Sequence, residues 1–224
     1  MKREIIITSD GSKTIRLPEI NENYHSGHGA LQEAMHVFIE SGLRLCELNK
    51  SNLNVLEVGF GTGLNTLLTT VHAQVKIHYT GLEAFPVEEK EWKQMGFSEL
   101  NGLEGTDQLF REIHLVDWGK DVEISTDFTL HKLKNKFIEA KFKDEAFDLI
   151  YFDAFGPRVQ PEMWKKTVFE KLYKSLACDG VLVTYCAKGQ VRRDMLSVGF
   201  TVEKIPGPPG KREMLRATKV CPDS

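Results

Sequence analysis

Three stretches of the 224-residue sequence combine residue types and spacings that could do chemistry. The first is Glu57-Val58-Gly59-Phe60-Gly61-Thr62-Gly63, with alternate glycines where the β-branched run from Asn54 gives way to helical spacing over Leu64 to Val71. Glycines at such a turn let the backbone approach a ligand closely. The spacing is not that of a dinucleotide fingerprint, which would need Gly or Ala at Leu64 or Thr66. The second is Glu83, ending the next strand, where a carboxylate can accept hydrogen bonds from both hydroxyls of a ribose and disfavours a 2′-phosphate. The third is Asp153-Ala154-Phe155-Gly156-Pro157. An amine is protonated at neutral pH and must lose a proton before its lone pair can attack. A carboxylate at Asp153 can hold the ammonium and then take that proton, while Phe155 packs against the alkyl and cationic parts of the amine.

These groups need a frame, and the hydrophobic pattern supplies one. Strands are predicted over 54–59, 76–82, 128–134, 147–153, 180–186, 200–205 and 213–220, with helices over 64–71, 86–95, 161–176 and 190–198. Residues 97–125 give no clear pattern. Alternating strands and helices mean an α/β fold with a mainly parallel sheet covered on both faces. The loop from Pro206 to Arg212 is too short for a parallel crossover, so the last of the seven strands is predicted to run antiparallel to its neighbour. Sheets of this kind bind ligands at the carboxyl ends of the central strands, where chain order reverses.

The seven-stranded layout with one antiparallel strand, and the acid-x-Gly-x-Gly-x-Gly loop, resemble the Rossmann-like class I S-adenosylmethionine-dependent methyltransferases. The Asp153 loop resembles the polar-Pro-Pro-aromatic loop of amino-group methyltransferases. Four stretches together are similar to the MnmC-type tRNA methyltransferases: Tyr24-His25-Ser26 with Gly29-Ala30, Glu33-Ala34 and His36-Val37-Phe38; Val58 to Asn65; Phe152 to Pro157 with Pro161-Glu162-Met163-Trp164; and Val191-Arg192-Arg193 with Gly199-Phe200 and Gly210 to Leu215. The resemblance runs from about residue 24 to 216. It implies a cytoplasmic enzyme that uses S-adenosyl-L-methionine to convert 5-aminomethyl-2-thiouridine to 5-methylaminomethyl-2-thiouridine at the tRNA wobble position.

Position by position, the resemblance implies Glu57, Gly59, Phe60, Gly61, Gly63, Asn65 and Glu83 as cofactor residues and Asp153 as the catalytic residue beside the amine. Phe155 and Pro157 fall on the substrate side. Lys211 and Arg212, on the loop between the last two strands, form with Arg192 and Arg193 a basic rim for anticodon phosphates. The Tyr24 to Phe38 segment either caps the cofactor through Ser26 and Glu33 or is an amphipathic helix packed by Ala34, Val37 and Phe38. Residues 1–50 accordingly read as an N-terminal capping segment and 51–224 as the methyltransferase domain. Bifunctional relatives carry an FAD-dependent oxidase domain that generates the amine; 224 residues leave no room for one, so a separate enzyme is expected to supply it. The family's Gly-Asp after the third strand is replaced by Asn135-Lys136, and Asn135 is the candidate adenine contact through its amide oxygen.

Composition sets the outer bounds. With 41% apolar and 27% charged residues, disordered and fibrous classes are excluded. No apolar run reaches membrane-spanning length and the start lacks a signal-peptide core, which predicts a cytoplasmic protein without a membrane partner. Cys46, Cys178, Cys186 and Cys221 form no C-x-x-C pair and are read as reduced thiols, without zinc or disulfides. His25, His28 and His36 lack a carboxylate-rich partner motif, so no metal is expected. The net charge of −3 hides a polarity: residues 1–129 carry 11 Lys+Arg against 20 Asp+Glu, and residues 130–224 carry 18 against 12. The basic half is either a polyanion-binding face or a solvated surface. Two other functions fit the same motifs: methylation of a small-molecule or polyamine amine, and a non-catalytic module on the same scaffold.

Overall fold

The strand that leads into the glycine loop, β4 (Asn52–Val58), lies inside an eight-stranded sheet in the computed structural model, which describes residues 2–221. Its neighbours are β5 (Lys76–Glu83), β7 (Phe128–Lys134), β8 (Phe147–Phe152) and β9 (Leu176–Thr184), all parallel to it. Two further strands close one edge: β11 (Glu213–Thr218) runs antiparallel to β9, and β10 (Thr201–Pro206) pairs antiparallel with β11. At the opposite edge β6 (Asp121–Ser125) is antiparallel to β7. The order is β10-β11-β9-β8-β4-β5-β7-β6. All seven predicted strands are present, and the antiparallel run of the last one stands as expected. The count is corrected to eight by β6, whose alternating exposure suits an edge strand.

Period-2 alternation divides the core between the two faces of the sheet. Val55, Tyr79, Leu149 and Tyr151 point to one face, while Leu56, Val58, Ile150 and Phe152 point to the other. The first face is covered by a helix over residues 30–47, here α1, with α2 (Leu64–His72) and α4 (Asp107–Leu115). The second is covered by α5 (Lys166–Ser175) and α6 (Gly189–Val198). The middle of α1, Met35–Leu43, widens to π pitch where Gly42 crosses the sheet; a Cβ on Gly42 would meet Val183 Cγ2 at 3.0 Å.

Two predicted helices are shorter than expected. The segment after Pro86 forms only α3 (Glu89–Trp92), opened by a capping box between Glu88 and Glu91. The 161–176 segment breaks at Lys165 into a 3₁₀ turn, Pro161–Trp164, and α5; the break lets the Trp164 indole donate to the Phe155 carbonyl at 2.7 Å. The N-terminal 50 residues are also not one kind of structure. A three-stranded antiparallel sheet, β1 (Glu4–Ile7), β2 (Lys13–Leu17) and β3 (Glu22–Asn23), precedes α1, and α1 itself belongs to the main core. Residue 1 and residues 222–224, the outer ends of the two predicted segments, lie outside the described residues.

The cysteine expectation is overturned for one pair. Cys178 and Cys221 form a disulfide across 43 residues. The cause is the pairing of β11 on β9, which sets Thr218 opposite Val181 and lets the Asp179 amide reach the Lys219 carbonyl at 2.8 Å, leaving the two cysteines side by side. Cys46 and Cys186 are free thiols. Among the described residues no helix is long and apolar enough to cross a membrane.

Candidate active site

Chain order reverses between β4 and β8, and the carboxyl ends of β4, β5, β7 and β8 converge there on a cleft of about 800 Å³ including its open mouth. The glycine loop forms its floor. Gly59 and Phe60 donate their amides to the Leu82 carbonyl at 3.0 Å, tying the loop to β5. Gly59 has φ +100°, and a Cβ there would stand 2.5 Å from the Asp153 carbonyl oxygen, so the loop and the Asp153 segment touch backbone to backbone. Glu83 closes the loop from the side: its two oxygens accept the amides of Gly61 and Phe85, each at 2.9 Å. A carboxylate oxygen has more than one acceptor site, so both remain able to take a hydroxyl.

The cleft is lined by Gly59, Phe60, Gly61, Asn65, Glu83, Asp153 and Phe155 among the predicted residues, and by Asn135 at the end of β7. Glu57 and Gly63 are not on its surface. Glu57 shares the inward face of β4 with Val55, has no exposed area, and is held by Asn65 Nδ2 (2.9 Å), Thr66 Oγ1 (3.0 Å) and Tyr79 OH (2.9 Å). Burial, and then the charge of Asp153, push its carboxyl up to about 8. Gly63 caps α2 in the left-handed region and packs against His114 and Phe60. Glu57 thus lies beneath the loop, with Asn65, Thr66 and Tyr79 as its hydrogen-bond partners.

Asp153 is the meeting point. Its amide donates to the Val58 carbonyl at 2.9 Å, and its Oδ2 accepts Asn65 Nδ2 at 2.9 Å. Desolvation, then the charge of Glu33, raise its carboxyl to about 7, against lowering contributions from Asn65 and Lys211. The following residues are pinned one by one: Tyr185 OH holds the Ala154 carbonyl at 2.8 Å, Trp164 holds that of Phe155, and Val159 donates to that of Gly156. Phe155 stands edge-on to Tyr24, ring centroids 5.2 Å apart.

The N-terminal cap is built from other residues than those predicted. Tyr24 and His25 line the cleft; Ser26 and Glu33 do not. His25, bonded through Nδ1 to Thr14 Oγ1 at 2.9 Å, is pushed down to about 4 by burial, and it reaches Thr62 through Nε2. Glu33 accepts the Ser26 amide at 2.8 Å and forms an ion pair with Lys211. Gln160 and Phe137 are cleft residues that carried no signal in the sequence, because segments distant in the chain bring them in, while Tyr24 and Met163 lie in stretches that carry the family resemblance.

A second groove begins on the other side of the Asp153 loop, lined by Pro157, Arg158, Tyr185, Lys188, Lys211 and Arg212 among others. Arg158 is bound to Glu22 at 2.8 Å, whereas Lys188 and Arg212 are exposed and have no carboxylate partner among the described residues. Arg192 and Arg193, on α6, line neither cleft; Arg193 bonds Gln190.

The order of strands, the glycine turn and the acid at the end of β5 are those of a Rossmann-like methyltransferase fold. The cleft residues fit S-adenosyl-L-methionine: glycines where side chains would clash, a ribose-competent carboxylate, and a buried Asn65 Oδ1 without a protein partner, suited to accept from an ammonium. Residues 109–220 match the model of a family described as S-adenosyl-L-methionine-dependent methyltransferase, and the chain belongs to that family. It is 30% identical to the tRNA 5-methylaminomethyl-2-thiouridine biosynthesis bifunctional protein MnmC of Cupriavidus metallidurans over 94% of this chain and 33% of the relative. It is 26% identical to the protein of the same name from Campylobacter fetus, over 96% and 35%. The chain therefore spans about a third of the length of these curated relatives. A crystal structure of MNMC2 from Aquifex aeolicus shares the fold, with TM-score 0.76 at 24% identity, covering 100% of this chain and 73% of that one.

Proposed function

We propose that the protein methylates a primary amine on a tRNA wobble uridine, converting 5-aminomethyl-2-thiouridine to 5-methylaminomethyl-2-thiouridine. The observation that carries this reading is Asp153, a half-buried carboxylate raised to about 7 where the cofactor cleft meets a cationic groove. A base with that affinity for protons takes one from an ammonium more readily than an ordinary aspartate and is still about half ionised at neutral pH. S-adenosyl-L-methionine, when bound, supplies an electrophilic methyl group. Glu83 accepts from the ribose hydroxyls, Asn135 stands at the adenine end, and Asn65 Oδ1 takes the amino group. Asp153 receives the proton of the target amine, whose freed lone pair can then attack, and Phe155 with Tyr24 excludes water from that point.

The groove supports a polyanion as the carrier of the amine. Arg158, Lys188, Lys211 and Arg212 outnumber Glu22 and Glu213 along it, which disfavours a polyamine. Lys188 and Arg212 are the residues we assign to phosphates flanking the uridine, with Arg192 and Arg193 at the outer margin. A tRNA substrate implies a cytoplasmic location and an activity that supplies the aminomethyl group.

Mass analysis of tRNA nucleosides after incubation with the protein and S-adenosyl-L-methionine tests the reading. One methyl gained on an aminomethyluridine is expected, reduced about a hundredfold or more in Asp153→Ala. Methyl transfer to free polyamines with none to tRNA would overturn it. Replacing Lys188 and Arg212 by Ala is expected to weaken tRNA binding and to lower its salt slope by about two.

A further inference from the structure

Lys211 and Glu33 were expected to serve two different ligands, a phosphate and the cofactor, yet the fold joins them to each other beside the reaction loop. Lys211 lies on the loop between β10 and β11, Glu33 in the first turns of α1, and their ion pair spans 178 residues of sequence. The Lys211 ammonium also sits 4.0 Å above the centroid of the Tyr185 ring, and the Tyr185 hydroxyl holds the Ala154 carbonyl, next to Asp153. Glu33 is largely buried, with its other oxygen on the Ser26 amide, so neither partner of the pair is free to serve a distant phosphate or to reach into the cofactor cleft.

We propose that the Glu33–Lys211 ion pair is a positioning device for Asp153, in which two opposite charges are set against each other to fix the pH at which that carboxylate can act as a base. The inference rests on the reading of Asp153 as proton acceptor. A lone lysine beside Asp153 would lower its affinity for protons; a lone glutamate would raise it. Burial raises the proton affinity of Asp153 most, and upon that the charges of both partners act in opposite senses: Glu33 raises it further and Lys211 lowers it. The other groups around Asp153 are Asn65, which donates to it; Glu57, on the far side of Asn65; Tyr185, a neutral phenol held well above its ordinary range by burial; and His25, kept neutral at the cleft wall. Of these only Glu57 titrates near neutral pH, and because burial and then the charge of Asp153 raise its carboxyl, the two carboxyls joined by Asn65 titrate together in parent and variants alike.

The two partners make opposite predictions, which a purely structural salt bridge would not. Glu33→Gln, which keeps an acceptor for the Ser26 amide, is expected to move the acidic limb of the kcat profile down by about half to one pH unit, and Lys211→Met to move it up by a similar amount. Each is a three- to tenfold change in ionised Asp153 at a pH below both limbs. Lys211→Arg, which keeps the charge, is expected to restore the parent limb. The same displacements are read without turnover by following the Asp153 carboxyl carbon by NMR in the full chain, cofactor-free. Shifts in the same direction for both variants, or a carboxyl titration that neither moves, would overturn the proposal. Asp153→Asn separates the two levels. If it keeps full turnover, the proton-acceptor reading fails, whatever the titrations show. If it is inactive while Glu33→Gln and Lys211→Met leave both limb and titration unmoved, only the ion-pair inference fails. Should Lys211→Met not fold, Glu33→Gln decides: a downward displacement of limb and carboxyl titration supports the proposal, and an upward displacement or none overturns it.

Discussion

Substituting Gly59 by Ala should damage catalysis more than folding. The backbone at Gly59 has φ +100°, and the added Cβ would lie 2.5 Å from the Asp153 carbonyl oxygen and 3.1 Å from its carbon. Left-handed strain on a residue with a side chain costs about 1–3 kcal/mol. Relieving the contact requires moving the Asp153 segment by roughly an ångström to reach ordinary van der Waals separation. Together these predict a loss of about 3 kcal/mol, about a hundredfold in the ratio of folded to unfolded protein. The displaced backbone carries the carboxylate proposed as the base, and a misplacement of about 1 Å costs about a hundredfold in rate. Gly102→Ala is the control, since Gly102 has φ +85° and nothing within 4 Å of the added atom. It should lose about 1–2 kcal/mol of strain energy and keep full turnover. Urea unfolding gives the stabilities, and methyl transfer at saturating cofactor, at a temperature where both variants are folded, gives the rates. If Gly59→Ala turns over within twofold of the parent, the backbone contact does not position Asp153.

Lys132 is buried, with its ammonium 4.9 Å from the Trp118 ring centroid and bonded to the His114 carbonyl at 2.7 Å, and burial pushes it down to about 8. Its folded value lies below the unfolded one near 10.4, so the unfolded chain binds the extra proton between those limits and stability should rise with pH from about 8 to 10, by up to roughly 3 kcal/mol. Lys132→Met should flatten that slope in denaturant titrations, and an equal slope in the variant would assign it to other groups. For the disulfide, closing a 43-residue loop stabilises by about 4 kcal/mol through chain entropy. Cys178→Ser, or reduction, should therefore lower Tm by several degrees while cofactor affinity by calorimetry stays unchanged; an unchanged Tm would show that the bridge does not form in solution.

The chemistry was most readable where it is local. The glycine turn, Glu83 and the Asp153 loop each lie within a few residues of a strand end, so spacing alone placed them on one side of the sheet. The burial of Glu57 was legible too: it is two residues from Val55, and period-2 alternation sends both to the face under α2. The β1–β2 hairpin also left a signal, β-branched runs on either side of Asp10-Gly11. The disulfide and the pairing of Glu33 with Lys211 left none. Both depend on how β11 returns to the sheet, a property of register across the whole fold rather than of any local pattern.

That return has a consequence for how the molecule is made. The cofactor cleft draws its residues from positions 24 to 163, all synthesised before β9. Lys211 emerges 178 residues after its partner Glu33, a delay of roughly 10–35 seconds at the rate of translation. A nascent chain can thus assemble the cleft proposed for the methyl donor well before the wall proposed for the acceptor. The cleft facing the donor and the wall facing the acceptor are completed in that order, with the last strand sealing the second.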